Sequence, residues 1–206
     1  MNQLNADYWN NRFATNNSPW DIGYISTPLK VYFDQLTNKN ISILITGCGN
    51  GHEAAYLLEN DFTNITLVDI STIVTLQVEE KFRPWLNKQL RVITGDFFEL
   101  NGQYDLIIEQ TFFCAIEPAL RKLYCNQMYQ LLQPDGRLAG VLFNHCFAKQ
   151  GPPFGGDINE YRKLFATLFE IYKLEACYNS IAPRAGRECF FILQKKRTTV
   201  LNRATS

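Results

Sequence analysis

The stretch Gly47-Cys48-Gly49-Asn50-Gly51-His52-Glu53 directly follows the apolar run Ile41–Thr46. Glycines at a strand tip let the backbone turn tightly and come close to a ligand. The sixth position of a dinucleotide fingerprint wants Gly or Ala, and here it holds His52, which argues against close packing around a pyrophosphate. A second apolar run ends at Asp69, about twenty residues further on, where an acid can accept from two vicinal ribose hydroxyls. The alternative for Asp69 is a helix cap shared with Ser71. A third run leads into Gly95-Asp96-Phe97-Phe98. There an acid can accept from an exocyclic amine and a ring can cover a flat base, or a turn aspartate simply precedes core phenylalanines. The fourth run ends at Glu109-Gln110, followed by Thr111-Phe112-Phe113-Cys114-Ala115-Ile116. That order sets polar groups and then rings at a central cleft, and Glu109 could hold an ammonium group or face a sulfonium. Trp9 and Phe13 share one face of a helix and Trp20 follows, as a staple for the N-terminal helix or as a lid over a cationic ligand.

The elements that must position these residues alternate. Apolar runs of strand length occur at Ile41–Thr46, Ile65–Val68, Leu90–Thr94, Tyr104–Glu109, Leu138–Phe143 and Cys189–Gln194, the last expected to hairpin with Cys177–Ile181. Helical spacing covers His52–Glu59, Thr72–Phe82, Pro118–Leu132 and Asn159–Phe169, with a Gln133-Pro134-Asp135-Gly136 turn between. This alternation implies an α/β, doubly wound sheet with right-handed crossovers, which binds ligands beyond the carboxyl ends of its strands.

The 206 residues suit a single domain, and 46% hydrophobic with 19% charged residues describes a chain that folds around a core. Twenty Lys plus Arg balance twenty Asp plus Glu, leaving no basic field for nucleic acid or a membrane surface, so the expected partner is a small molecule. No signal-peptide core or membrane-spanning run is evident. The six cysteines are scattered without a CxxC pair, so neither a metal nor a disulfide framework is expected, and a cytoplasmic setting fits.

Taken in order, these segments resemble the thiopurine, thiol and halide methyltransferases, which use S-adenosylmethionine. The matching stretches are S-P-W-D-I-G at 18–23, T-G-C-G-N-G-H-E at 46–53, V-D-I-S at 68–71, G-D-F-F at 95–98, F-F-C-A-I-E-P at 112–118, Q-P-D-G at 133–136 and G-P-P-F at 151–154. F-F-C-A-I-E-P is most similar to the plant halide and thiol enzymes. The resemblance implies one Rossmann-like methyltransferase domain over 1–206. Its sheet would be seven-stranded and mostly parallel with an antiparallel last strand, its lid would lie over 1–30, and its tail over 197–206 would be disordered. Trp9, Phe13 and Trp20 match the aromatic positions that cover the cofactor. Gly47, with Gly49, matches its amino-acid end, Asp69 with Ile70 the ribose site, and Asp96 with Phe97 the adenine site. Glu109 and Gln110 would stand near its methionine end. Gln110 departs from the Tyr of the plant enzymes and the Arg of the thiopurine enzymes, and Phe13 replaces a Trp.

The expected reaction is in-line transfer of the methyl group to a small soft nucleophile such as a thiol, hydrosulfide, halide, thiocyanate or thiopurine. The acceptor pocket candidates are Phe112, Phe113, Phe154 and Gln110, with Pro152 and Pro153 as a rigid wall. No evident general base stands out, His145 and Tyr172 being more ordinary as core or surface residues. Arg184 and Arg187 could attract an anion but read more simply as solvated charge. The competing functions are a nicotinamide-dependent oxidoreductase and a non-catalytic binding module on the same fold.

Overall fold

The computed structural model describes residues 4–149 and 151–197. Its sheet is seven-stranded: β1 (Ile43–Thr46), β2 (Ile65–Asp69), β3 (Leu90–Thr94), β4 (Tyr104–Gln110), β5 (Leu132–Phe143), β6 (Phe169–Ala176) and β7 (Glu188–Lys195). The spatial order is β3-β2-β1-β4-β5-β7-β6. The first five strands pair in parallel, and β7 runs antiparallel to both β5 and β6.

Both faces of the sheet are covered, which is why the central strands are continuously apolar rather than alternating. In β1, Leu44 joins a core that includes Tyr124 and Met128 of helix α5 (Arg121–Leu131) and Phe165 of helix α6 (Ile158–Phe165). Its neighbours Ile43 and Ile45 join the opposite core with Leu29, Leu57 and Val74, from α2 (Thr27–Phe33), α3 (His52–Glu59) and α4 (Thr72–Lys81). Chain order reverses between β1 and β4, so their carboxyl ends open a crevice. An additional N-terminal helix, α1 (Ala6–Ala14), lies against α4, where the Asn10 side-chain oxygen accepts from Ser71 Oγ at 2.7 Å and Ile73 N at 3.3 Å.

Four boundaries differ from the sequence reading. Asn159–Phe169 was too long for one helix: α6 ends at Phe165, and Phe169 opens β6. Pairing with β7 overrides the helical spacing of Phe165, Leu168 and Phe169, and the strand expected at Cys177–Ile181 falls in the connection after β6. Pro118–Leu120 forms a separate 3-10 turn before α5. Gln133–Gly136 is an irregularity inside β5, whose pairing with β4 skips from Leu132 to Arg137 while Asp135 takes a left-handed φ of 62°. The Asp135 carboxylate holds Arg197 through two hydrogen bonds of 2.9 and 2.7 Å. The rest of the expected tail, 198–206, lies outside the described residues.

Five of the six cysteines are buried and Cys146 is exposed, and none is in a disulfide. Among the described residues no helix is long and apolar enough to cross a membrane.

Candidate active site

The strand tips enclose a cavity of about 350 Å³. Gly47, at the end of β1, has φ 56°, and a Cβ there would lie 2.4 Å from the Phe112 ring. Glycine is therefore needed twice, for the left-handed backbone and for the close approach of the ring. Two residues on, Gly49 N donates to Asp69 Oδ2 at 3.2 Å, tying the glycine loop to the tip of β2.

Asp69 is 8% exposed and lines the cavity. Its Oδ1 accepts from Ser71 N at 2.9 Å. Burial pushes its carboxyl up, against the backbone donors Ser71, Gly49 and Ile70 that favour the charged form. Ser71 itself caps α4, so the capping role falls there and Asp69 retains lone pairs for a ligand. At the tip of β3, Asp96 accepts from Phe98 N at 2.9 Å, as a turn aspartate does, and it also lines the cavity. Phe97 is buried beneath, edge-to-face with Phe112 at 5.1 Å between centroids.

The three N-terminal rings pack on one another and face the cavity together. Trp9 and Phe13 meet Trp20 edge-to-face, with centroids 5.6 and 5.9 Å apart, and all three line the cavity. The Arg12 guanidinium lies over the Trp20 ring at 4.7 Å. The loop carrying Trp20 is fastened on both sides. Asp21 binds the Asn50 side chain and sits 2.7 Å from His52 Nε2, while Arg184 donates to the Trp20 carbonyl at 2.7 Å. Burial alone would raise the Asp21 carboxyl, but donors from Gly23, Asn50 and His52 together hold it below its ordinary range. His52, out of place in a dinucleotide fingerprint, is thus half of a latch.

The tip of β4 departs from expectation. Glu109 has no solvent exposure, and its carboxyl turns away from the cavity toward the loop that follows it. Oε1 accepts from Phe112 N at 2.8 Å and Phe113 N at 2.9 Å, and Oε2 accepts from Tyr124 at 2.7 Å. It is therefore not among the cavity-lining groups, where the ammonium or sulfonium contact was expected. Gln110 accepts from Ser26 Oγ at 2.9 Å and does not line the cavity. Phe113 enters the α5–α6 core, because the 3-10 turn at Phe113–Ala115 points it inward while Phe112 faces the cavity. Phe154 is tied by its backbone to the Cys114 carbonyl at 2.7 Å; Pro152 and Pro153 make the wall instead.

Trp9, Phe13, Trp20, Gly47, Gly49, Asp69, Ile70, Asp96, Phe97 and Phe112 are thus brought together around one space, and Glu109, Gln110, Phe113 and Phe154 are not. Sequence reasoning undervalued Arg184. It is buried, lines the cavity, and its Nη1 stands 3.6 Å from Glu188 Oε1, so it is not solvated surface charge. Arg187 and Tyr172 are exposed, and His145 packs on Phe147 outside the lining. Leu120, Phe143 and Phe147, which no motif announced, join Ile116 of the F-F-C-A-I-E-P stretch in an apolar annex of the cavity lining.

The left-handed glycine loop, the two acids at adjacent strand tips and the cluster of rings fit an adenosine bearing a positively charged sulfur. Comparison with known proteins points the same way. The family model described as thiopurine S-methyltransferase matches residues 4–203. A probable thiol methyltransferase 2 of Arabidopsis thaliana is 29% identical over 192 residues, covering 91% of this chain and 84% of the relative. Thiocyanate methyltransferase 1 of Brassica oleracea is 30% identical over 185 residues, covering 87% and 81%. Among solved structures, magnesium protoporphyrin IX methyltransferase of Synechocystis PCC 6803 with bound SAH superposes with a TM-score of 0.73 over 93% of this chain and 97% of that one; at 15% identity the likeness is one of fold.

Proposed function

Because the chain belongs to the thiopurine S-methyltransferase family and is an S-adenosylmethionine-dependent methyltransferase, we propose that it methylates a small soft nucleophile seated between Phe112 and the apolar annex. One observation carries this reading: a single cavity holds both the two-acid adenosine grip and an apolar annex with one buried cation, Arg184.

When bound, the cofactor supplies a methyl group made electrophilic by its sulfonium. The protein's own residues bind, orient and exclude water. Asp69 would offer its remaining lone pairs to the ribose hydroxyls, and Asp96, beside Phe97, would accept from the adenine amine. Trp9, Phe13 and Trp20 present ring surface to the cationic end and keep water out. Phe112, packed on Gly47, sits between the cofactor side and the annex, where Pro152 and Pro153 limit the acceptor's freedom. Arg184, although paired with Glu188, brings a guanidinium to the cavity wall, which favours an anionic acceptor over a cationic one. A thiolate, hydrosulfide, thiocyanate or heavy halide is already a competent nucleophile, which suits a lining that has no histidine or lysine among the described residues. The cytoplasm is the proposed setting.

The test is methyl transfer from labelled cofactor to a panel of iodide, thiocyanate, hydrosulfide, aryl thiols and thiopurines. Turnover of at least one panel member is expected. Failure of all of them, with transfer only to polymers or to oxygen acceptors, would overturn the proposed acceptor class.

A further inference from the structure

A fully buried carboxylate lies one layer behind the acceptor wall, and methyl transfer leaves it without a task. Glu109 sits at the end of β4, and the β5 backbone is pressed against it: a Cβ on Gly140 would fall 2.2 Å from the Glu109 carbonyl oxygen. Glycine at 140 is what allows this approach. The side chain then reaches forward, taking two amides of the next loop on Oε1 and the Tyr124 hydroxyl of α5 on Oε2. The captured loop supplies Thr111, Phe112, Cys114, Ile116 and Glu117 to the cavity lining. It is also conformationally tense, since Thr111 has a positive φ of 59°.

We propose that Glu109 is a positioning residue for methyl transfer: its ionised carboxylate clamps the 111–117 loop to α5 in the shape that seats the acceptor. The proposal rests on reading that loop as the acceptor wall.

An ionised carboxylate only accepts, and all three donors aimed at it are satisfied. Protonation places a donor on one oxygen: on Oε1 it costs the loop amides their acceptor, and on Oε2 it forces the Tyr124 hydroxyl to turn and accept where it donated. Burial pushes this carboxyl up to about 7, against the three donors, so the clamp changes state near neutrality. The other ionisable groups around it are Tyr124 on α5, Cys114 on the loop, and Glu188 on β7, which borders the same small void beside Cys114. Burial raises the Tyr124 hydroxyl, the Cys114 thiol and the Glu188 carboxyl. The two proton donors thus stay neutral at pH 7, while Arg184 stands by Glu188 as its counter-ion.

Thiocyanate and iodide do not titrate near neutrality, so with saturating cofactor their pH dependence reports the enzyme. For either, kcat/KM of the wild type is expected to rise about tenfold from pH 6 to pH 8, as a single group near 7 ionises. Glu109→Gln, which cannot ionise, should flatten this to less than about twofold and raise the acceptor KM. Tyr124→Phe, which removes one donor to the charged form, should move the midpoint upward. A second arm needs no turnover: the amide resonances of Phe112 and Phe113 should titrate together near 7 in the wild type and stay fixed in Glu109→Gln. Wild-type turnover with an unchanged pH profile in Glu109→Gln, or static Phe112 and Phe113 amides between pH 5.5 and 8.5, would overturn the clamp. If no panel acceptor is methylated, the acceptor assignment fails instead, and the amide titration still decides the clamp.

Discussion

The Phe112 ring lies across Gly47 so closely that a single methyl group on the glycine would sit 2.4 Å from ring atom Cδ2. The contact joins the cofactor loop to the acceptor wall. Gly47→Ala must therefore either push the ring into the cavity or bend the loop. We expect it to weaken S-adenosylhomocysteine binding at least tenfold and to raise the acceptor KM as well. Gly49→Ala is the control: it has a left-handed φ of 49° but no atom within 4 Å of the added carbon, so it should cost only the strain of that backbone, about 1 kcal/mol. Calorimetry on both variants checks this, and equal losses would mean that backbone strain, rather than the ring contact, is what matters at Gly47.

Asp69 is the most buried acid of the cofactor site. Removing it orphans Gly49 N and Ser71 N and, on the proposed reading of the site, takes the acceptor from the ribose hydroxyls. Asp69→Ala should weaken S-adenosylhomocysteine binding by ~1–3 kcal/mol. Asp69→Asn keeps one acceptor oxygen and should fall between. Unchanged affinity by calorimetry would remove Asp69 from the site.

How far this site could be read from sequence depends on how each side chain is aimed. Gly47 and Asp69 were legible because each closes a fully buried apolar strand, and Asp96 because it follows the half-buried edge strand β3; a parallel sheet brings such ends to one edge. Glu109 closes a strand just as clearly, yet its carboxyl turns to amides of its own loop, and nothing in the spacing distinguishes that from a ligand contact. Phe112 and Phe113 are adjacent and identical in type, and a 3-10 turn decides which one faces the cavity. Arg184 was illegible for another reason: the carbonyl it satisfies belongs to Trp20, at the far end of the chain. The strand β6 was hidden by helical spacing that continues from α6, and only its partner β7 reveals it.

The lid is fastened chiefly through Asp21, which bridges to Asn50 and to His52 of the glycine loop. Breaking that latch frees the Trp20 loop without touching the acids below. Asp21→Ala should raise the S-adenosylhomocysteine dissociation rate about tenfold, the scale of one or two lost charge-assisted hydrogen bonds, with little change in association. Because the folded-state Asp21 carboxyl is depressed, its contribution is present above its ordinary value of 3.8 and is lost as pH falls through the lower folded-state value. Stopped-flow release followed by tryptophan fluorescence measures the rate. A wild-type rate in Asp21→Ala would show that Arg184 alone holds the loop.

Glu109 carries the opposite sign. Its folded-state value, about 7, lies above the ordinary 4.5, so folding favours its protonated form. The stability it confers is fully present below about 4.5 and is lost as pH rises through 7. A shift of that size corresponds to on the order of 3 kcal/mol. Asp69, Glu53 and Glu188 also have raised carboxyls, so the wild-type curve alone cannot isolate Glu109. The difference between wild type and Glu109→Gln does: urea unfolding at a series of pH values should show wild-type stability falling relative to the variant between about 4.5 and 8, then running parallel. The charged form that holds the acceptor loop is therefore the form that weakens the fold, a conflict expected of a group kept for positioning rather than stability. A difference curve that stays level across neutrality would mean that Glu109 is already ionised well below pH 7, and would leave its buried charge without the cost that desolvation demands.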